Sequence, residues 1–171
     1  FRYWLQGGRI TTGFLGAAQL DRFGNINTTV IGDYNNPNIR LPGGGGAPEI
    51  ASSSGQIFIT MKQSLRGMVE AVDFFTSFGH GEGGQHRERL GMTTKGPVLL
   101  VTDLAIWKSD PVTKEFIVAS LHQGVTRDQI QNTCGWSVKY SEDLSETSGP
   151  TDLELTTLRD LKTRTDNAHG G

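Results

Sequence analysis

Three short apolar segments, at residues 56–61, 97–102 and 116–121, constrain the fold of this chain more than any other feature. Each is rich in β-branched residues, which favour extended backbone, and each is close to the usual length of a strand. Several strands with few helices indicate a sheet that is largely buried by the rest of the chain. We therefore predict an α/β protein, with helices covering the sheet, and 171 residues suffice for a single domain with its own core.

Further strands are predicted before and between these segments. Residues 12–20 are expected to form one buried strand with small side chains, and residues 26–31 the return strand after an Asp-Arg-Phe-Gly-Asn turn. Residues 35–38 (Asn-Asn-Pro-Asn) are predicted to be a loop, and residues 74–78 another strand. The chain should thus begin its folded part with a hairpin.

Two helices carry start signals. Thr126 is a suitable cap for a short helix at residues 126–132. Thr151 and Glu154 form a capping box that should start the C-terminal helix. Leucines at positions 155, 158 and 161 follow at roughly helical spacing on one face. Residues 167–171 are expected to fray.

Charge and cysteine content exclude several classes of protein. Sixteen Lys and Arg residues against 18 Asp and Glu give a formal net charge of −2, and no basic stripe is interleaved with aromatic residues, so no nucleic-acid partner is predicted. Cys134 is the only cysteine, which excludes an internal disulfide and a four-thiolate metal site, and we interpret it as a packing residue. No apolar run approaches the roughly 20 residues of a membrane span and no signal peptide is recognised, so a cytoplasmic location is expected.

The uninterrupted run Gly43, Gly44, Gly45 and Gly46 is the most informative candidate site. Glycine lets backbone approach a ligand closely, and successive N–H groups can turn toward one point. Pro48 suits the first turn of a helix, whose positive end would add to that field. The loop would suit an oxyanion or a phosphate, and a flexible surface loop is the competing interpretation. It is not a P-loop, because no Lys-Ser/Thr follows.

Polar side chains flank the predicted hairpin. Gln19, Asn25 and Asn27 could bind a thioester or an amide edge. Asparagines in turns usually satisfy their own backbone, and we favour that interpretation for Asn25. Gln19 lies near the end of an apolar strand and is harder to explain in this way.

Residues 79–84 (Gly-His-Gly-Glu-Gly-Gly) are predicted to be a mobile loop. It holds His80 and Glu82, and His86 and Arg87 follow closely. Such residues could supply a general base or a metal site, but the spacing is poor for a metal pair and no metal is predicted. A loop that covers the substrate and offers cations to an anion suits these residues better, with a solvated surface loop as the alternative.

Five segments together resemble one family. They are residues 13–34, 40–51 (RLPGGGGAPEIA), 79–91 (GHGEGGQHRERLG), 97–103 and 121–135. In this order they are similar to the B-type subunits of two-subunit CoA-transferases of the glutaconate and 3-oxoadipate type. The likeness spans nearly the whole chain, and residues 1–10 (FRYWLQGGRI) resemble the 3-oxoadipate branch most.

The resemblance implies an α/β fold, the A-type CoA-transferase subunit as partner in a heterodimer or heterotetramer, and no cofactor, since the CoA thioester is a substrate. It implies ping-pong transfer of CoA from succinyl-CoA to 3-oxoadipate, in aromatic-compound breakdown, through a glutamyl-CoA thioester. The family's oxyanion loop corresponds to residues 43–47, and we favour the backbone N–H groups of Gly46 and Ala47 as donors. Arg40, His86 and Arg87 are predicted to bind the second carboxylate of the acid, and the other contacts to substrate or CoA are assigned to Gln19, Asn25, Asn27, Gly43, Gly44 and Gly45.

The sequence departs from the family at one point. The family's nucleophilic glutamate lies in a Glu-Ser-Gly phrase upstream of every matching segment, and this sequence contains no Glu-Ser-Gly. Phe1 opens an apolar, aromatic phrase, which we interpret as a cut point in a longer polypeptide. The alternatives are a glutaconate-type transferase, a hydrolase or decarboxylase of the same fold, and a non-catalytic subunit that binds CoA esters.

Overall fold

Five short strands precede the first α-helix, and the later strands are interrupted by short helices. The computed structural model describes residues 2–169. The strands are β1 (Thr12–Leu15), β2 (Gln19–Leu20), β3 (Ile26–Asn27), β4 (Val30–Gly32), β5 (Pro37–Arg40), β6 (Gln56–Thr60), β7 (Pro97–Val101), β8 (Ala105–Ser109), β9 (Phe116–Leu121) and β10 (Tyr140–Glu146). The helices are α1 (Ala47–Ser53), α2 (His86–Arg89), α3 (Arg127–Asn132) and α4 (Asp152–His169), preceded by a π-helical turn (Arg2–Gln6).

Six strands form one sheet in the order β1-β6-β7-β8-β9-β10. β1, β6 and β7 run parallel, β8 is antiparallel to both of its neighbours, and β10 is parallel to β9. The three apolar segments of the sequence are the strands β6, β7 and β9, as predicted. The predicted α/β fold is confirmed, and β1 and β10 form the two edges of the sheet within the described residues.

The two strands predicted at residues 12–20 and 26–31 are each divided in two, so neither prediction was right as a continuous strand. β1 joins the main sheet, whereas β2 pairs only with β3, through Gln19 opposite Asn27. The backbone leaves the sheet after Leu15, where the small side chains of Gly16 and Ala17 permit a change of direction. The predicted turn between β2 and β3 is confirmed.

Residues 74–78 do not form the predicted strand. The backbone N–H groups of Thr76 and Ser77 both donate to the carbonyl oxygen of Ile26, and the Ile26 N–H donates to Ser77 in return. This isolated bridge fastens the segment to β3 without extending a ladder. The predicted loop at residues 35–38 was wrong at its end, because β5 begins at Pro37 and pairs with β4.

The core lies against the main sheet. Fully buried side chains include Trp107 and Phe116 on the antiparallel strands and Ile57 on β6. Cys134 is 3% exposed, and burial raises the pKa of its thiol to about 11. A thiol with so high a pKa is protonated at neutral pH, which confirms the interpretation of Cys134 as a packing residue.

The two predicted helix starts are confirmed. The Thr126 side chain accepts from the Gln129 backbone and completes a capping box. Thr151 and Glu154 form the second box, and α4 continues to His169, so residues 167–169 are helical rather than frayed, and the last two residues lie outside the described part. The leucines of α4 remain largely exposed: Leu158 is 62% and Leu161 53% exposed. Across residues 2–169, no helix is long and apolar enough to span a membrane.

Candidate functional site

The glycine loop lies at the carboxyl end of β1. A Cβ placed on Gly13 would meet Ile50 and Ser54 of the α1 segment, and one placed on Gly55 would meet the Thr11 carbonyl oxygen. Later residues of the helix segment therefore lie beside earlier residues of the strand, so α1 runs antiparallel to β1. Its first turn, and the glycines before it, consequently lie toward the end of the strand where α/β proteins usually bind ligands.

Thr28 fixes the start of this loop. The Gly43 N–H donates to the Thr28 carbonyl oxygen at 2.8 Å, and the Thr28 hydroxyl donates to the Gly43 carbonyl oxygen at 2.9 Å. Gly43 has φ +96° and Gly45 has φ +50°, which other residues adopt only with strain. Gly44 packs closely, because a Cβ there would lie 3.1 Å from Thr76. The loop is therefore a fastened structure, which answers the alternative of a flexible surface loop.

Of the two predicted oxyanion donors, only Gly46 keeps an unused N–H. The Ala47 N–H donates to the Gly44 carbonyl oxygen at 2.9 Å, so the prediction of Ala47 as a donor was wrong for this conformation. The backbone N–H groups of Gly44, Gly45 and Gly46 have no hydrogen-bond partner within residues 2–169. Gly46 is the N-cap of α1, and Pro48 occupies the first turn as predicted. Three successive amides are thus available to an anion.

Gln19 and Asn27 bind each other and neighbouring backbone. The Asn27 side-chain amide donates to Gln19 Oε1 at 2.7 Å and to the Val30 carbonyl oxygen at 2.6 Å. Gln19 Nε2 donates to Asp73 Oδ2 at 3.0 Å, and its Oε1 also accepts from the Asp73 N–H. Both side chains are buried, with every polar atom engaged. The structure therefore assigns them to fastening the hairpin, against the prediction that they bind substrate.

Asn25 is fully buried and holds the 79–84 loop. Its Oδ1 accepts from the N–H groups of Gly79 and Gly81, each at 3.0 Å, and its Nδ2 donates to the Gly81 carbonyl oxygen and to Asp21 Oδ2. Burial raises the pKa of the Asp21 carboxyl above its usual range, although hydrogen bonds from Asn25 and Phe23 oppose the rise. Asn25 thus has a structural role, as favoured, but its partners are the distant Gly79 and Gly81 as well as Asp21 of its own turn, and no side-chain polar atom remains unpaired for a ligand.

Arg40 and His86 are the predicted anion ligands that keep some exposure. Arg40 precedes the glycine loop by three residues. Its guanidinium lies 4.7 Å from the centre of the Tyr34 ring and donates to the Tyr34 carbonyl oxygen. His86 Nδ1 accepts from the Glu82 N–H at 3.0 Å, and its ring meets the edge of Phe78. Arg40 thus remains a proposed ligand near the loop, whereas His86 closes the turn before α2.

The 79–84 loop is packed, so the prediction of a mobile cover for the substrate was wrong. His80 is 2% exposed, and its Nε2 lies 2.7 Å from the Pro97 carbonyl oxygen. Because a carbonyl oxygen can only accept a hydrogen bond, Nε2 carries the proton. Nδ1 therefore carries a lone pair, which has no hydrogen-bond partner among the described residues. Burial is the main cause that lowers the pKa of His80 to about 4, so the ring is neutral at pH 7.

Arg87 is a buried brace rather than an anion ligand. It is 3% exposed, and its five N–H groups donate to the carbonyl oxygens of Phe78, Gly79, Ala51 and Thr94 and to the Thr94 hydroxyl. No carboxylate lies within 4.0 Å of it in the described part of the chain. The prediction that Arg87 binds a substrate carboxylate was therefore wrong, because no donor is left for one.

The buried His80 predicts a loss of stability in mild acid. The unfolded chain takes up this proton near the ordinary pKa of 6.5, the folded chain only near 4, so stability is complete above pH 6.5 and falls as the pH decreases to 4. We expect this group to account for about 3 kcal/mol of that loss. Urea unfolding between pH 4 and 7 measures it, with His80→Gln as the comparison. Equal pH slopes for the two proteins would contradict the assignment.

No metal centre is built by the described residues. Within residues 2–169, no group of three or more His, Cys, Asp and Glu side chains lies close enough to hold a metal ion. What remains is a loop of unused amides at the end of a sheet, which can stabilise negative charge on an oxygen atom. The sequence reasoning missed Thr28 and Thr76, which hold this loop. Their only signal was the place of Thr28 in Asn-Thr-Thr, directly after β3.

The fold and the loop define an α/β protein with unused backbone amides at the end of its sheet, and comparisons with known proteins identify its family. A family profile described as Coenzyme A transferase matches residues 1–133. The B-type subunit of the 3-oxoadipate CoA-transferase of Pseudomonas knackmussii is 59% identical over 170 residues, which is 99% of this chain and 65% of that protein. The chain thus spans about two thirds of that relative's length. It belongs to the coenzyme A transferase family.

Two solved structures share the fold at appreciable identity. The glutaconate coenzyme A-transferase from Acidaminococcus fermentans superposes with a TM-score of 0.81 at 34% identity, covering 92% of this chain and 60% of that one. IpdAB from Rhodococcus jostii RHA1 superposes with a TM-score of 0.79 at 27% identity, covering 91% and 61%. Both comparisons extend over nearly all of the described residues.

Proposed function

We propose that this chain is part of a B-type subunit of a CoA-transferase that, together with its A-type partner, moves CoA from succinyl-CoA to 3-oxoadipate. The observation that carries the proposal is the 59% identity, over 99% of the chain, to a B-type subunit that is named for 3-oxoadipate CoA-transferase. The fixed loop at residues 44–46 also supports it, because its unused backbone N–H groups can stabilise a negatively charged oxygen atom. The nucleophile is proposed to be a glutamate that lies outside residues 1–171.

The loop has a defined task in such a reaction. When a carboxylate adds to the carbonyl carbon of a thioester, the carbonyl oxygen becomes an oxyanion. N–H groups that are already in place stabilise that charge without reorganising, and one donor is typically worth about 3 kcal/mol. A carboxylate is a weak nucleophile, so close positioning is needed as well. We propose the amides of Gly45 and Gly46 for the oxyanion, and Arg40 for the second carboxylate of the acid.

A mass experiment tests the proposed reaction. The two-subunit enzyme that contains this sequence should form a glutamyl thioester with succinyl-CoA, which borohydride reduces at a glutamate outside residues 1–171. Peptide mapping locates the reduced residue, and a turnover assay compares 3-oxoadipate with glutaconate as acceptor. The isolated 171-residue chain is expected to transfer no CoA. Turnover by the isolated chain, or of glutaconate alone, would contradict the proposal.

Removing one amide from the loop is expected to slow transfer strongly. Gly46 has φ −89°, so Gly46→Pro stays near the backbone angle of proline while removing the single N–H. We expect kcat of the two-subunit enzyme to fall roughly 100- to 1,000-fold. Gly46→Ala keeps the N–H and is the matched control, expected to retain nearly the activity of the parent enzyme. If the two variants lose activity equally, Gly46 does not serve as an oxyanion donor.

A hydrolase of the same fold is the second candidate, because of the likeness to IpdAB. The IpdB subunit of Rhodococcus jostii, named a cholesterol ring-cleaving hydrolase, is 27% identical over 147 residues. A hydrolase would consume a CoA substrate without passing CoA to an acceptor acid. Acceptor dependence of CoA transfer in the assay above therefore separates the two candidates.

A further inference from the structure

A cavity among the described residues lies at the opposite end of the sheet from the glycine loop. Its volume is about 640 Å³, within the usual range for small-molecule sites. It is bounded by α2 and the turn after it, by Pro97 at the start of β7, and by Ser109 at the end of the antiparallel β8. These are the amino ends of the parallel strands, whereas the glycine loop lies at their carboxyl end.

Three cations line this cavity. The Arg87 guanidinium forms part of its wall, although its own N–H groups are all used, and its charge is buried without a carboxylate within 4.0 Å in the described part of the chain. Buried charges are normally compensated by a charge of opposite sign. Lys95 and Lys114 stand at the same cavity, so an anion there would be attracted by three positive charges.

Two acidic residues that line the cavity, Glu88 and Asp110, oppose the binding of an anion. Glu88 is exposed to solvent, where screening weakens its effect. Asp110 accepts from the N–H groups of Val112 and Thr113 with one oxygen atom, which spreads part of its charge into the turn. The single deeply buried charge of this cavity is therefore the cation Arg87.

Lys114 and His80 add specific features to the wall. Lys114 is the one residue other than glycine with positive φ among the described residues, at 65°, and its Nζ donates to the Pro111 carbonyl oxygen at 2.9 Å. Backbone held in this region costs energy and is enriched at binding sites. His80 also lines the cavity, and its Nδ1 has no partner among the described residues, so this lone pair is free to accept a hydrogen bond from a hydroxyl or an acid O–H group.

We propose that this cavity is a second binding site, for a small organic or inorganic anion that carries a hydroxyl or acid O–H group. Hydrogen phosphate and hydrogen malonate both have this chemistry. The site is separate from the proposed transfer reaction, because the cavity lies at the amino ends of the parallel strands and the glycine loop at their carboxyl end. The proposal thus does not depend on the identity of the CoA acceptor.

Titration of the 171-residue chain with phosphate and, separately, with malonate tests the site. Calorimetry gives the affinity, and backbone NMR shifts give the location. We expect binding of at least one anion, with shifts at His80 and at residues 91–98 rather than at residues 43–46. Phosphate alone or malonate alone would define the class of anion. No binding of either anion at about 20 mM, on the order of the weakest useful affinities, or shifts confined to the glycine loop, would overturn the proposal.

Charge variants make the test specific. Lys95→Ala combined with Lys114→Asn removes two cations, and asparagine tolerates the positive φ at position 114. We expect this double variant to bind at least tenfold more weakly, with an unchanged thermal midpoint. Lys108→Ala on β8 removes one charge from a solvent-exposed position outside the cavity lining and should stay within twofold. Equal weakening in both proteins would mean a nonspecific charge effect and would contradict the site.

Discussion

Replacing Arg87 with methionine is expected to lower the free energy of unfolding by about 3 kcal/mol or more. Methionine fills a similar volume but leaves four carbonyl oxygens, of which those of Gly79 and Ala51 are in buried hydrogen bonds, and the Thr94 hydroxyl without their donor. These acceptors belong to α1, to residues 78–79 and to the segment before β7, so one side chain ties three parts of the chain together. Urea unfolding, followed by tryptophan fluorescence, measures the loss.

Two variants control this prediction. Arg89→Met changes an exposed arginine of the same helix and should alter stability by less than about 0.5 kcal/mol. Arg87→Lys keeps the charge but has fewer N–H groups in another geometry, so it should fall between the parent and Arg87→Met. If Arg87→Met unfolded like the parent protein, the brace assigned to Arg87 would be wrong.

The second large effect is expected for Asn25→Ala, at about 3 kcal/mol of lost stability. The substitution leaves the N–H groups of Gly79 and Gly81 without an acceptor in a buried place. The space around Gly79 is too tight for another side chain to replace the lost amide. A Cβ added to Gly79 would already lie 2.3 Å from the carbonyl group of Gly24. Urea unfolding at pH 7 gives the magnitude.

Asn25→Asp distinguishes the lost hydrogen bonds from the lost volume. Aspartate can still accept from Gly79 and Gly81, but it sets a second carboxyl against Asp21, whose pKa is already raised by burial. Asn25→Asp is expected to have a lower free energy of unfolding than the parent protein. We expect this difference to shrink as the pH falls, because one of the two carboxyls then takes up a proton. A deficit in Asn25→Asp that is independent of pH would show that the contact with Asp21 is unimportant.

The sequence predicted those elements whose signals are local. β6, β7 and β9 follow from β-branched composition, the start of α3 follows from Thr126 as a cap, and the start of α4 follows from a capping box. β8 and β10 were missed, and β10 (Tyr140–Glu146) is a polar edge strand that owes its conformation to pairing with β9 rather than to its own residues. Residues 74–78 carry strand-forming aromatics, yet their backbone is fixed by Ile26, which is distant in the sequence.

The candidate site shows the same division. The glycine loop and its helix were predicted, because glycine and proline act on their own backbone. The partners of Gln19, Asn25 and Arg87 were not predicted, because they are distant in the sequence: Gln19 binds Asp73, and Asn25 binds Gly79 and Gly81. A polar side chain among apolar residues looks the same in the sequence whether it binds a ligand or a backbone N–H or C=O group that lacks another hydrogen-bond partner. Only the tertiary contact distinguishes the two.

The edge position of β1 has a practical consequence for handling the protein. Its parallel pairing with β6 uses one side of the strand, and no strand among the described residues pairs with the other side. Phe14 is 67% exposed on this strand, and Trp4, in the preceding turn, is 64% exposed. Open edges with aromatic neighbours recruit other chains, so concentrated samples of the isolated chain should scatter light increasingly with time, and dilute samples are the ones from which its solution behaviour can be judged.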